Sequence, residues 1–185
     1  MNRIMNTEIS VRLANLGDVQ AIAEISERYE PKGIDKYIKS LTDQIKANAQ
    51  ENSLTHMFVA ELKEEVIAHA NLFFFDKAIL RVKYDSPSGW YLNGVIVDEK
   101  YRRLGAAKSL SLFREKYIAG TETNKVIYSI VSAENIPSIE YHKGLNFIEA
   151  QRAEGFLDVK LKCGEGILFS KQVGSFLREE FINEN

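Results

Sequence analysis

The residues best suited to chemistry in this chain lie between positions 89 and 117. A β-branched run ending Val95-Ile96-Val97 leads through Arg102-Arg103-Leu104-Gly105-Ala106-Ala107-Lys108 into a segment with Leu110, Phe113 and Tyr117 at helical spacing. Cationic side chains and small residues ahead of a helix start favour an anion. The first helical N–H groups lack ladder partners, the helix dipole is positive there, and Gly105, Ala106 and Ala107 keep side chains out of a phosphate's way. A phosphorylated ligand is the expectation. The chain has neither the Gly-Lys-Ser/Thr ending of a P-loop nor the three spaced glycines of a dinucleotide-binding turn.

Other reactive side chains are few. Cys163 is the only cysteine, so it has no internal disulfide partner, and without a neighbouring histidine or second thiol it makes no metal site. It fits a reducing cytoplasm. His69 and Asn93 lie on strands, and Asp98 and Glu99 follow one directly. None stands out as a general base, because surface acids are mostly solvated and a lone strand histidine is usually a core residue.

The elements that position these residues follow from periodicity. A strand over residues 8–13 precedes an Asn15-Leu16-Gly17-Asp18 turn, which caps a helix carrying Val19, Ile22, Ser26 and Tyr29 on one face. Ile34, Ile38, Leu41 and Ile45 mark a second amphipathic helix over residues 35–49. Residues 57–62 and 66–75 form an antiparallel hairpin about the charged turn Lys63-Glu64-Glu65, with Phe73 to Phe75 packed into the core. The polar loop over residues 76–88 is long enough to help shape a substrate pocket. A strand over 125–131 leads to Asn135, which caps a helix whose first turn accepts Pro137, and strands over 147–152 and 166–172 close the chain.

This order gives an α/β domain with one central mixed sheet, spanning residues 1–185, with a core over about 8–173 and a tail over 174–185. With 24 basic and 26 acidic residues there is no positive field for nucleic acid or anionic membrane. The opening ten residues lack a signal peptide's apolar core, and the longest apolar run, residues 72–75, is far below the ~20 residues that span a bilayer. A soluble cytoplasmic protein is expected.

Arg102-x-x-Gly105-x-Ala107, between a strand and a helix, resembles the acyl-CoA pyrophosphate loop of the GNAT superfamily of N-acyltransferases, written Gln/Arg-x-x-Gly-x-Gly/Ala. The segment from Asn135 through Pro137, Ser138, Tyr141, His142 and Leu145 to Phe147 is similar to that family's Asn-x-Ala/Pro-Ala/Ser-x-x-Leu-Tyr/His-x-x-Leu-Gly-Phe. The likeness covers residues 8–173. It implies a mixed sheet of six to seven strands, splayed between the fourth and fifth and flanked by four helices. It also implies acetyl-CoA as donor, with no metal.

In that resemblance the backbone of Val95, Ile96 and Val97 holds the pantetheine arm. The amides of Arg103, Leu104, Gly105, Ala106, Ala107 and Lys108 wrap the pyrophosphate with Arg102 adding charge, and Asn135 and Ser138 complete the donor site. His142 stands where the family commonly has a tyrosine that protonates the departing thiolate; members resembling phosphinothricin acetyltransferase carry histidine there. The alternatives are that His142 packs under the donor or that Tyr141 gives the proton. The implied activity is transfer of acetyl to a primary amine of a small molecule or peptide by direct attack, which needs positioning rather than a nucleophilic cysteine. A non-catalytic acyl-CoA- or peptide-binding module on the same fold is the alternative. Asn146 in place of glycine and the Ala106-Ala107 pair depart from the pattern. The acceptor pocket falls to the two early helices, the 76–88 loop and the hairpin of Cys163, where no motif identifies the amine; the closing strands leave room for a homodimer.

Overall fold

The turn over Asn15-Leu16-Gly17-Asp18 stands directly ahead of the first helix, as expected, but its side-chain cap serves the turn and not the helix. In the computed structural model of the protein, which describes residues 9–50, 53–121 and 125–174, Asn15 opens a 3-10 turn over Leu16–Asp18. Its Oδ1 accepts the Gly17 N–H, and the Asp18 carboxylate returns a bond from the Asn15 N–H, a capping box. The turn runs straight into helix α1 (Val19–Tyr29), which Asp18 does not cap with its side chain. The C-terminal tail expected from the sequence falls on residues 175–185, outside those described.

Strand β1 (Ser10–Leu13) precedes this turn, and helix α2 (Ile34–Asn48), strands β2 (Thr55–Leu62) and β3 (Glu65–Phe75), and strand β4 (Gly89–Val97) follow α1. Lys63 and Glu64 both take left-handed φ values, 52° and 66°, as a two-residue hairpin turn of type I′ requires. Helix α3 (Ala106–Ala119) leads to strand β5 (Val126–Ser132), helix α4 (Ile136–Gly144), strand β6 (Ile148–Ala153), a short β7 (Gly155–Phe156) and β8 (Val159–Lys160), and strand β9 (Gly166–Gln172). Seven strands form one mixed sheet in the order β1-β2-β3-β4-β5-β9-β6, in which β4 and β5 are parallel. Among the described residues, four α-helices and this sheet match the expected fold class. The β7–β8 ladder, whose strands are two residues each, is too short to leave a periodic signal.

Chain contacts gather into two units, each discontinuous in sequence. One runs to Leu72 and resumes over Gly94–Arg114; the other takes Phe73–Asn93 and the chain from Glu115. In the first, the α1 stripe of Val19, Ile22 and Ala23 packs with Leu41 and Ile45 of α2 and Met57 and Val59 of β2. Each of these side chains except that of Ala23 contributes about 1.5–3 kcal/mol on leaving water. In the second, Phe75, Tyr91, Phe156, Leu157 and Leu168 are buried together, and Phe73 stacks on Tyr91 at 5.4 Å. The core role expected for the triple phenylalanine therefore holds, with Phe74 edge-on to Trp90.

The 76–88 loop is pinned within the second unit. Tyr84 N–H donates to Leu157 O, Lys83 N–H to Asp158 Oδ1, and Leu157 N–H to Ser86 Oγ, at 2.8, 3.0 and 2.8 Å. The loop is thus zipped to the β7–β8 connection. Ser86, 3% exposed, is the buried end of that zipper.

Candidate acyl-donor site

Strand β4 is a central strand that loses one neighbour partway along. Its parallel register with β5 pairs Trp90 with Ile127, Tyr91 with Tyr128 and Leu92 with Ser129, and extends no further. Asn93 and Gly94, just beyond, are exposed, and Val95, Ile96 and Val97 are half-buried. Gly94 has φ +55° with nothing within 4 Å of where a Cβ would sit, so the strand deforms there. This matches the splay between the fourth and fifth strands that the resemblance implies, and within the strand itself the Asn93-Gly94 pair marks it.

From Val97 the backbone enters a tightly specified turn. Asp98 caps a 3-10 turn over Glu99–Tyr101, with its Oδ1 accepting the Lys100 N–H at 3.2 Å, and Tyr101 donates its hydroxyl to Glu65 Oε2 at 2.7 Å. Arg102 leaves the turn extended, Arg103 is left-handed at φ +65°, and Gly105 at +95°. These two left-handed residues bring the chain round to the start of α3, where the first helical N–H groups lack ladder partners. Residues 102–105 are exposed, Lys108 is exposed, and Ala106 is buried at 2%. A Cβ at Gly105 would meet nothing within 4 Å, so space as well as charge suits an anion. Arg102 reaches Glu99 at 3.5 Å, an exposed pair that constrains it little.

Helix α3 is held by a residue that periodicity did not mark. Arg114 is 1% exposed and donates to Asn71 O at 2.8 Å, to Leu110 O and to Ser111 Oγ, fastening the helix to β3 through a carbonyl. A charged residue on a helical stripe reads as a solvated face, and only the fold reveals its carbonyl partner.

In the second unit, Asn135 Oδ1 accepts the Ser138 N–H at 3.2 Å and Pro137 occupies the first turn of α4, as expected. His142 is 8% exposed, stacked on Phe169 at 5.5 Å and 15° and edge-on to Phe147. Its Nδ1 lies 2.7 Å from Ser138 O, so Nδ1 carries the donated proton. Tyr141 is half-buried beside it, its ring 5.5 Å from the imidazole. Asn146, the departure from glycine, has φ +63°, and the bonds from Asn146 N–H to Lys143 O and from Phe147 N–H to His142 O make a Schellman close. Asparagine is the next most tolerant residue after glycine in that conformation, so the local geometry survives the change.

The residues considered as bases sort by environment. Asp98 is consumed by its cap and by Arg28 Nη2 at 2.7 Å, and Glu99 is exposed beside Arg102. His69 is 6% exposed, its Nε2 is 3.0 Å from Ser26 Oγ, and burial pushes its pKa down to about 4. Cys163 Sγ sits 3.1 Å from Ser132 Oγ, a contact that lowers its thiol pKa. Among the described residues no three His, Cys, Asp or Glu side chains come together as a metal site, and no helix is long and apolar enough to cross a membrane.

The fold, the loop and the α4 segment define a class. The chain matches the acetyltransferase (GNAT) family over residues 19–147, well over half its length, and belongs to that family. No curated protein sequence matches it significantly. The fold recurs in NAA60 of Arabidopsis thaliana in complex with acetyl-CoA, at 21% identity and TM-score 0.66 over 90% of this chain and 100% of that one. It recurs in an N-acetyltransferase of Staphylococcus aureus Mu50, at 20% identity and TM-score 0.61 over 90% and 99%. A chimera of spermidine N-acetyltransferase from Vibrio cholerae and hSSAT is similar at 15% identity and TM-score 0.66 over 95% and 99%.

Proposed function

We propose that this protein is an acyl-CoA-dependent N-acyltransferase that transfers acetyl from acetyl-CoA to a primary amine of a small molecule or peptide. The observation that carries this function is the loop over residues 98–108: left-handed Arg103 and Gly105, exposed cationic side chains and a helix start converge in a member of the acetyltransferase family. The amides of residues 103–108 hold the pyrophosphate, with Arg102 and Arg103 adding charge. Val95, Ile96 and Val97 offer backbone N–H and C=O groups to the pantetheine arm, and Asn135 and Ser138 serve the same donor.

In the reaction the neutral amine nitrogen attacks the thioester carbonyl carbon. A C–N bond forms, the C–S bond breaks, the nitrogen gives its proton to water or a base, and the thiolate takes one to become free CoA. His142 supplies that last proton. Because Nδ1 donates to Ser138 O, the proton passed on comes from Nε2 of the imidazolium. Tyr141 is the alternative donor, since a phenol keeps its proton through neutral pH.

The test is release of free thiol from acetyl-CoA with the purified protein and a panel of amino acids, polyamines, aminoglycosides and peptides with free N-termini. At least one amine is expected to raise thiol release well above the amine-free rate, with the acetylated amine identified by mass. Binding of CoA without release in any arm favours a non-catalytic module instead.

A further inference from the structure

Asp98 ends β4 and opens the loop assigned above to the donor phosphates, and each of its polar atoms has a partner. Its N–H donates to Ile67 O at 2.9 Å, its C=O accepts the Tyr101 N–H at 2.9 Å, Oδ1 accepts the Lys100 N–H at 3.2 Å, and Oδ2 accepts from Arg28 Nη2 at 2.7 Å. The carboxylate is 7% exposed, whereas the Arg28 side chain is 52% exposed. Three of these contacts lie within β3, β4 and the turn. The fourth comes from the last turn of α1, seventy residues earlier in the chain.

That fourth contact decides the carboxylate's orientation. A side chain that bonds only one backbone N–H can rotate about its own axis and still keep the bond. Fixing the second oxygen with a short charge-assisted bond removes that freedom and therefore sets the turn. The turn in turn sets where Arg102, left-handed Arg103 and Gly105 face. We infer that Arg28 and Asp98 are positioning residues for the donor loop: neither touches the donor, and together they hold the turn in the shape that binds it. The inference rests on the acyl-CoA function proposed above, and it makes donor affinity depend on a side chain of α1.

The expected signature follows from population arithmetic. If removing the Arg28 guanidinium lets the loop leave its binding shape about nine-tenths of the time, the apparent dissociation constant rises about ten-fold. At saturating donor the loop is restored by binding, so kcat changes little. The full chain and the variants Arg28→Ala, Arg28→Lys, Asp98→Asn and the Arg28→Ala/Asp98→Asn double would be titrated with coenzyme A by calorimetry, with melting temperature measured on the same samples. Arg28→Ala is expected to weaken coenzyme A binding about ten-fold, Arg28→Lys to regain most of it, and the double to be no weaker than the worse single. Lowered melting temperature with unchanged coenzyme A affinity in Arg28→Ala and Asp98→Asn overturns the positioning role and leaves the proposed function standing. Absence of coenzyme A binding by the unaltered chain overturns both.

Discussion

His69 makes the acid stability of this protein a quantitative test of its core. The ring is 6% exposed, its Nε2 meets Ser26 Oγ at 3.0 Å, and its Nδ1 is buried with no hydrogen-bond partner among the described residues. Burial lowers its pKa from 6.5 to about 4. Between these values the unfolded chain binds a proton that the folded chain refuses, so stability falls as pH falls from about 6.5 towards 4. Above that window both states are neutral, and below it both are protonated, so the loss is confined to it. At about 1.4 kcal/mol per pKa unit the group accounts for about 3 kcal/mol, a large share of the 5–15 kcal/mol typical of a folded domain. His56 is also shifted down by burial and adds to the slope in the same direction. Denaturant unfolding of the wild type and His69→Gln from pH 7.5 to 4 isolates the His69 part as the difference between the two curves. The wild type should lose about 3 kcal/mol more than the variant. Parallel curves, or an NMR titration in which the His69 ring protonates near pH 6.5, would refute the reasoning. The NMR arm needs no variant.

Three further outcomes follow from the sites. Gly105→Glu fills the anion position with bulk and negative charge at φ +95°, so calorimetry should detect no coenzyme A binding, at a folding cost of about 1–2 kcal/mol for the left-handed backbone; binding of wild-type strength contradicts the phosphate assignment. His142→Phe should lower kcat at least ten-fold with coenzyme A affinity little changed, whereas Tyr141→Phe should leave kcat within about two-fold; the reverse pattern transfers the proton to Tyr141. Arg12→Ala removes the guanidinium that meets both Asp18 oxygens and Glu61, so it should cost about 2 kcal/mol at pH 7 by denaturant unfolding. Burial alone would raise the Asp18 pKa, but the Arg12 bonds and the Asn15 N–H outweigh it and hold it below the usual carboxylate value. That stabilisation is present above pH 3.8 and is lost as pH falls through the folded-state pKa, so the gap between wild type and Arg12→Ala should close in acid. A gap that persists there shows that Arg12 acts through packing.

The sequence by itself determined the longer helices and strands and the cationic, small-residue character of the loop over residues 102–108. Helical stripes of Val19, Ile22, Leu41 and Ile45, the Asn135 cap, and the arginine and small residues from 102 to 107 are local features, and local propensity and capping are written in neighbouring residues. The sequence read residues 15–18 as a turn that caps α1, whereas the side-chain cap belongs to the turn itself, because a 3-10 turn of three residues has no periodicity to read. The resemblance implies a splay between the fourth and fifth strands, and only the tertiary structure decided that it begins after Leu92, that the 76–88 loop zips to Leu157 and Asp158, and that Arg28 reaches Asp98. It also decided that Arg114 is a buried anchor and that His69 lies in the core with one nitrogen unpaired among the described residues. These contacts join residues tens of positions apart. Their partners are selected by which backbones the fold brings within hydrogen-bond distance, and no local pattern encodes that selection.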